Sequence, residues 1–166
     1  MKTRLIIGVL VLTVLALVPA SAMATDANGN HDTYIWVVSA TEEASAIAPD
    51  GSTITMPTGS GTMTAGPGHT ASGGGTYSLS SGGSGFWTVT GMQGFVSYGP
   101  ASFNQTLFGG EAKLNITLDN GASGVLTIYC VLGSPPPAKE EGITVILGNG
   151  GQFTRQDGGN TVFILP

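Results

Sequence analysis

Few residues in this chain could do chemistry, and they cluster late in it. Cys130 is its one cysteine, followed by Pro135-Pro136-Pro137 and the charged run Lys139-Glu140-Glu141. A nucleophilic thiol needs access and a nearby cation or helix N-terminus to lower its pKa. It also needs a base, and neither His31 nor His69 is close in sequence. Strand parity puts Cys130 on one face with Leu126, Ile128 and Leu132, which predicts a buried structural thiol. Glu140 and Glu141 raise the possibility of glycan hydrolysis, which needs two carboxylates facing one bond roughly 5 to 10 Å apart. Adjacent residues on a strand point to opposite faces. A partner such as Glu42, Glu111 or Asp119 would therefore have to converge on one of the two. Glu141 runs in phase with Ile143, Val145 and Leu147, so it is the carboxylate that parity can turn inward. Glu140 and Glu141 are kept as candidate binding residues, and no catalytic residue is assigned.

Metal and cofactor chemistry has one weak foothold. Asp26, Asn28, Asn30 and Asp32 fall at every second position, like the opening of a calcium loop. Gly29 comes at the fourth position of that loop, His31 stands where its glycine should be, and Val37 replaces its closing glutamate. A polar leader before the first strand accounts for the run, with a calcium-stabilised module as the alternative. His31 and His69 make a poor zinc pair. No cofactor is expected.

Aromatic side chains offer another kind of site. Trp36 and Trp87 alternate in phase with Val38 and Val89 and read as core. The stretch "YGPASFNQTLFGG" reads as a long loop presenting Tyr98, Phe103 and Phe108, the preferred binding surface. Two N-x-T sequons, at Asn104 and Asn115, are both expected on exposed positions.

The elements that must hold these residues are strands. Apolar residues with helical spacing are absent after residue 24, and the β-formers Thr, Val, Ile and Tyr alternate between turn signals such as "PDGS", "DNGASG" and "LGNGG". "TEEASAIA" has some helix propensity but is short and ends at Pro49. Predicted strands cover 33–40, 52–56, 61–65, 76–80, 86–90, 95–98, 111–118, 124–132, 142–147, 151–155 and 160–165. The Gly/Ser/Thr-rich segment 58–85 reads as exposed meander strands rather than a linker. Residues 125–131 are apolar on both faces, the pattern of a central strand. The three prolines read as a connection crossing between sheets. Asn149-Gly150 and Asp157-Gly158 read as hairpin turns. The fold class expected is all-β: one antiparallel β-sandwich of immunoglobulin-like or jelly-roll-like form over residues 25–166, with no helix of note.

Compartment and charge come from the ends. Lys2 and Arg4, an apolar run from Leu5 to Val18, Pro19 and "ASAMA" have the order of a secretory signal peptide over residues 1–24, cleaved after Ala22 or Ala24. The run is short for a membrane span, and no integral membrane segment is expected in the mature chain. Without the leader, Lys113, Lys139 and Arg155 stand against ten acids, three minus ten, a net charge of −7. So cation-poor a chain cannot neutralise a row of phosphates, which excludes nucleic acid as a partner. One cysteine permits no internal disulfide.

"GFWTVTGMQGFVSYG", "YCVLGSPPPAKEEGITVIL" and the closing "GGNTVFI" resemble a loose set of uncharacterised secreted β-rich proteins with W-T-x-T, F-x-S-Y-G and C-x-x-G-x-P-P-P…E-G-I segments. The resemblance implies a single β domain and an architectural role for the proline bend, and it brings no activity. The function expected is that of a secreted, non-enzymatic extracellular or cell-surface protein that binds or assembles with a surface protein or polysaccharide. The alternatives are a small glycan-active hydrolase using Glu140 or Glu141, and the calcium-stabilised module.

Overall fold

A computed structural model describes residues 32–166. The expected signal peptide, residues 1–24, and the calcium candidates Asp26, Asn28 and Asn30, with His31, lie outside the described residues. The chain is all-β and antiparallel. Its strands are β1 (Thr33–Val38), β2 (Ala44–Ile47), β3 (Thr53–Thr64), β4 (Thr70–Leu79), β5 (Ser84–Ala101), β6 (Asn104–Leu118), β7 (Ser123–Cys130), β8 (Gly142–Leu147), β9 (Gln152–Phe153), β10 (Arg155–Gln156) and β11 (Thr161–Ile164).

Four strands are longer than their sequence patterns suggest, β4 among them, which begins at Thr70 rather than at 76. β3 joins two predicted strands through a register shift between Thr55 and Thr58, around Pro57. β5 joins two more through shifts at Val89/Gly91 and Met92/Gly94. Such bulges bend a strand without ending it, so the periodicity breaks while the ladder continues. β6 starts at Asn104, so most of the expected loop 98–110 is strand on either side of a tight turn. Segment 44–47, within "TEEASAIA", is a strand held between β3 and β10.

Bending lets the sheet close on itself. β1 pairs β3, β3 pairs β4, β4 pairs β5, β5 pairs β6, β6 pairs β11, and β11 returns to β1. β3 and β6 each divide one edge between two partners. β2 takes the N-terminal part of β3 and β7 takes the C-terminal part of β6. β8 and β9 continue from β7. β2 packs against β8 without hydrogen-bonding to it, as the facing layers of a sandwich do. The segment after β8 stitches this side: β9 pairs β8, β10 pairs β2, and Asn160 N–H donates to Glu42 O.

Two connections differ from expectation. β7 and β8 are ladder neighbours, so the proline segment is a long hairpin loop within one sheet. Asp157-Gly158 is no hairpin turn, because β10 pairs β2 whereas β11 pairs β1 and β6. That bend carries the chain from one ladder to another. Asn149-Gly150 does close the β8–β9 hairpin, with Leu147 N–H donating to Gly151 O at 2.7 Å.

The core has two textures. Ile116, Leu126, Ile128, Ile143 and Val145 form an aliphatic block on β6, β7 and β8. In the other half Trp36 and Trp87 stack, ring centroids 5.7 Å apart, over the inward glycines of β3 and β4. A methyl group at Gly59 would lie 2.5 Å from the Trp87 ring, and one at Gly61 would lie 2.5 Å from Trp36. The glycines in this half are the space in which two indoles fit. Trp87 Nε1–H donates to Thr76 O at 3.1 Å, while buried Trp36 Nε1–H finds no acceptor among the described residues.

Candidate functional site

The Phe103 hairpin is built at the β5–β6 turn. Ala101 faces Asn104, and the ladder next registers at Pro100 with Phe108, so residues 105–107 arc outward. The arc is fastened locally: Asn104 Oδ1 accepts from Thr106 N–H at 3.0 Å and from Thr106 Oγ1–H at 2.9 Å, and Gln105 Nε2–H donates to Ala101 O. Asn side chains make such turns readily. Phe103 at the tip is 75% exposed. Beside it lies an open cleft of about 270 Å³, lined by Phe103, Leu107, Leu132 and Val162 with Glu141, Asn160 and Thr161.

The sequence grouped Tyr98, Phe103 and Phe108, and the structure separates them. Tyr98 is buried at 8% exposure, on β5 rather than on a loop. Phe108 is half-buried and meets Tyr34 edge-on at 5.4 Å, inside an aromatic cluster with Phe95 and Phe163. Only Phe103 presents its ring. Trp36 and Trp87 are core, as their phase predicts.

Glu141 turns inward and is fully engaged. One oxygen accepts from Val131 N–H at 2.8 Å; the other accepts from Thr161 N–H at 2.8 Å and Thr161 Oγ1–H at 2.7 Å. Thr161 Oγ1 also lies 2.6 Å from Tyr129 O, so its single proton serves one acceptor at a time. The carboxylate ties the end of β7, the start of β8 and the start of β11. Glu140 is exposed, and its carbonyl accepts from Gln156 Nε2–H.

Cys130 lies under this knot, fully buried. Burial first of all, with the Glu141 charge adding to it, pushes its thiol up to about 11. A thiolate is therefore disfavoured there, and the thiol is structural.

A second polar cluster escaped the sequence. Glu111 on β6 takes Lys139 Nζ at 2.7 Å and Lys113 Nζ at 3.4 Å, so two of the three cations after residue 24 meet one carboxylate. Lys139 also stands over the Tyr129 ring, 5.0 Å from its centroid. A turn aims the lysine: Lys139 N–H donates to Pro136 O, with Ala138 at φ 62. Burial raises the Glu111 pKa, but the bond and charge of Lys139, with help from Lys113, outweigh it and hold the carboxyl below its ordinary 4.5. The bond to Glu111 raises Lys139 in turn. Contact between residues 28 positions apart has no local signature that could have found it.

Of the calcium candidates only Asp32 is described; its carbonyl accepts from Ala65 N–H. Asn115 lies half-buried within β6, with Gln93 Nε2–H donating to its Oδ1 at 2.8 Å, whereas Asn104 is exposed. Expected exposure thus holds for Asn104 and only in part for Asn115, which shares the outward phase of Lys113 and Thr117 but is bonded to the Gln93 side chain.

No family model, curated protein or solved structure matches the chain.

Proposed function

We propose that this chain is an exported, non-enzymatic domain that works outside the cell or at its surface by binding, and that it takes a partner at the Phe103 hairpin. The observation that carries this reading is Phe103 itself, a large apolar ring three-quarters exposed above a cleft walled by Leu107, Leu132 and Val162. Aromatic anchors beside an apolar depression are what interfaces bury first. Support for binding over glycan hydrolysis comes from Glu141, whose two oxygens already accept from the Val131 and Thr161 amides and share the Thr161 hydroxyl with Tyr129 O. A carboxylate so engaged is poorly placed to move a proton to a substrate. Export is supported by the order of charge, apolar run and small residues in positions 1–24.

The test is retention of the purified chain on isolated envelopes of its host, compared with Phe103→Ala. Removal of a central aromatic anchor should weaken retention roughly thirtyfold. Equal retention of both proteins, with unchanged melting of each, would sink the Phe103 site.

A further inference from the structure

The outward face of β3, β4 and the first part of β5 has an unusual composition. The register sets the hydroxyl residues of these strands opposite one another in rows. Thr62 faces Ser72 and Thr58 faces Thr76, with hydroxyl oxygens 3.1 Å and 2.8 Å apart. The central row runs from Ser60 through Gly74 and Thr88 to Thr117. No outward position of β3, of β4 or of residues 84–90 holds Asp, Glu, Lys or Arg. Charge elsewhere on the molecule is concentrated at sites such as Glu111, Lys113 and Lys139. At the end of the Thr58–Thr76 row Phe86, opposite Thr76, is 68% exposed, and its N–H donates to Asp119 Oδ2 at 2.9 Å.

The spacing follows from the sheet. Strands lie about 4.8 Å apart and alternate residues about 6.7 Å apart, so the hydroxyls form a two-dimensional grid. Each hydroxyl pair uses one of its two protons internally, leaving one O–H donor and several lone pairs for solvent or ligand. The face thus offers donors, acceptors, threonine methyl groups and one stacking ring, without net charge. A polyanion would gain no cation here and would meet a chain of net charge −5, or −7 without residues 1–24, and a basic partner would find one carboxylate at the border, Asp119, already accepting from Phe86 N–H and the Tyr77 hydroxyl. A neutral sugar polymer has matching chemistry: hydroxyls that both give and accept, and ring faces of C–H groups that stack on an aromatic side chain.

We propose that the outward β3–β4–β5 face binds a neutral polysaccharide, with Phe86 stacking on a sugar ring and the Ser/Thr rows bonding its hydroxyls. The proposal rests on the reading of the chain as an exported binding domain and does not depend on the Phe103 hairpin.

The experiment measures depletion of the purified chain, at low and high salt, by insoluble cellulose, chitin and a β-1,3-glucan. It includes Phe86→Ala, the double variant Ser60→Lys/Thr88→Lys, and Phe103→Ala. The unmodified chain should bind at least one polymer with no loss at high salt, because neutral contacts are not screened. Phe86→Ala should weaken that binding roughly threefold to tenfold, the worth of one aromatic contact. The lysine pair should abolish it, about tenfold or more, by placing charges that must be desolvated. Loss of binding in Phe103→Ala with normal binding by Phe86→Ala would assign the polymer to the hairpin and overturn the proposal. If no polymer is bound, or if both face variants bind normally, the proposal is overturned. It is overturned equally if sedimentation shows a dimer that the lysine pair dissociates, since the face would then serve a second copy. Both altered positions are exposed. Should the lysine pair lower the melting temperature, Phe86→Ala alone decides.

Discussion

The glycine–indole half and the aliphatic half of this core reach the same burial by opposite means. On β6, β7 and β8, neighbours in one ladder, branched side chains fill the interior, and each contributes apolar area of its own. On β3 and β4 the inward positions beside Trp36 and Trp87 are glycines, and the area comes from two rings lying on bare backbone. The first arrangement is sensitive to losing atoms, the second to gaining them. Their outer surfaces differ as well: the glycine half carries neutral hydroxyls, and the aliphatic half carries the Glu111–Lys113–Lys139 cluster.

The contrast can be broken most directly by altering volume in each half. Leu126→Ala should cost about 2–5 kcal/mol in urea unfolding, through lost burial and a cavity. Gly61→Ala should cost about 1–3 kcal/mol although it adds a carbon, because the methyl group meets the Trp36 ring and the Ser72 carbonyl. Were Gly61→Ala neutral, the glycines would not be required by the indoles.

The two engaged carboxylates sharpen the comparison at smaller scale. Glu141→Ala leaves the amides of Val131 and Thr161 without their acceptor in a half-buried site, and a loss of about 1–3 kcal/mol is expected in the same assay. A loss within error would mean that β7, β8 and β11 are joined by their ladders alone.

Lys139→Ala should have the smallest effect, about 1 kcal/mol or less, since its pair with Glu111 is partly exposed. Its signature is pH dependence. The Glu111 carboxyl is held below its ordinary 4.5, so the contribution is present above that value and lost as pH falls through the depressed one. Lys139 is raised above its ordinary 10.5, so the same contribution is present below that value and lost as pH rises through the raised one. The difference in stability between Lys139→Ala and the unmodified chain should therefore stay level through neutral pH and close at both extremes. A difference independent of pH would assign it to packing on Tyr129.

Much of this was legible in the chain. Alternation gave β7 its central position and buried Cys130 with Leu126 and Ile128. Phase was enough to name Trp36 and Trp87 as core. The proline loop and the Tyr98–Phe108 segment were misjudged for a common reason. Proline and glycine signal a break in local conformation, but whether the ladder resumes beyond the break depends on the partner strand. For the candidate site, Phe103 was legible as an aromatic presented by a loop, whereas the tight turn that carries it and its separation from Tyr98 and Phe108 were not.

Local pattern therefore determined the strands, their faces and the buried thiol, because side-chain direction alternates with every residue and hydrophobicity records it. Only the tertiary structure decided the closing of the sheet, the meeting of Lys139 with Glu111, and the bonding of Glu141 to Val131 and Thr161. Those depend on which distant strands become neighbours, and no single segment of sequence carries that information. The glycines of β3 and β4 belong to both accounts: the sequence marked them as small, and the fold supplied the indoles that need the room.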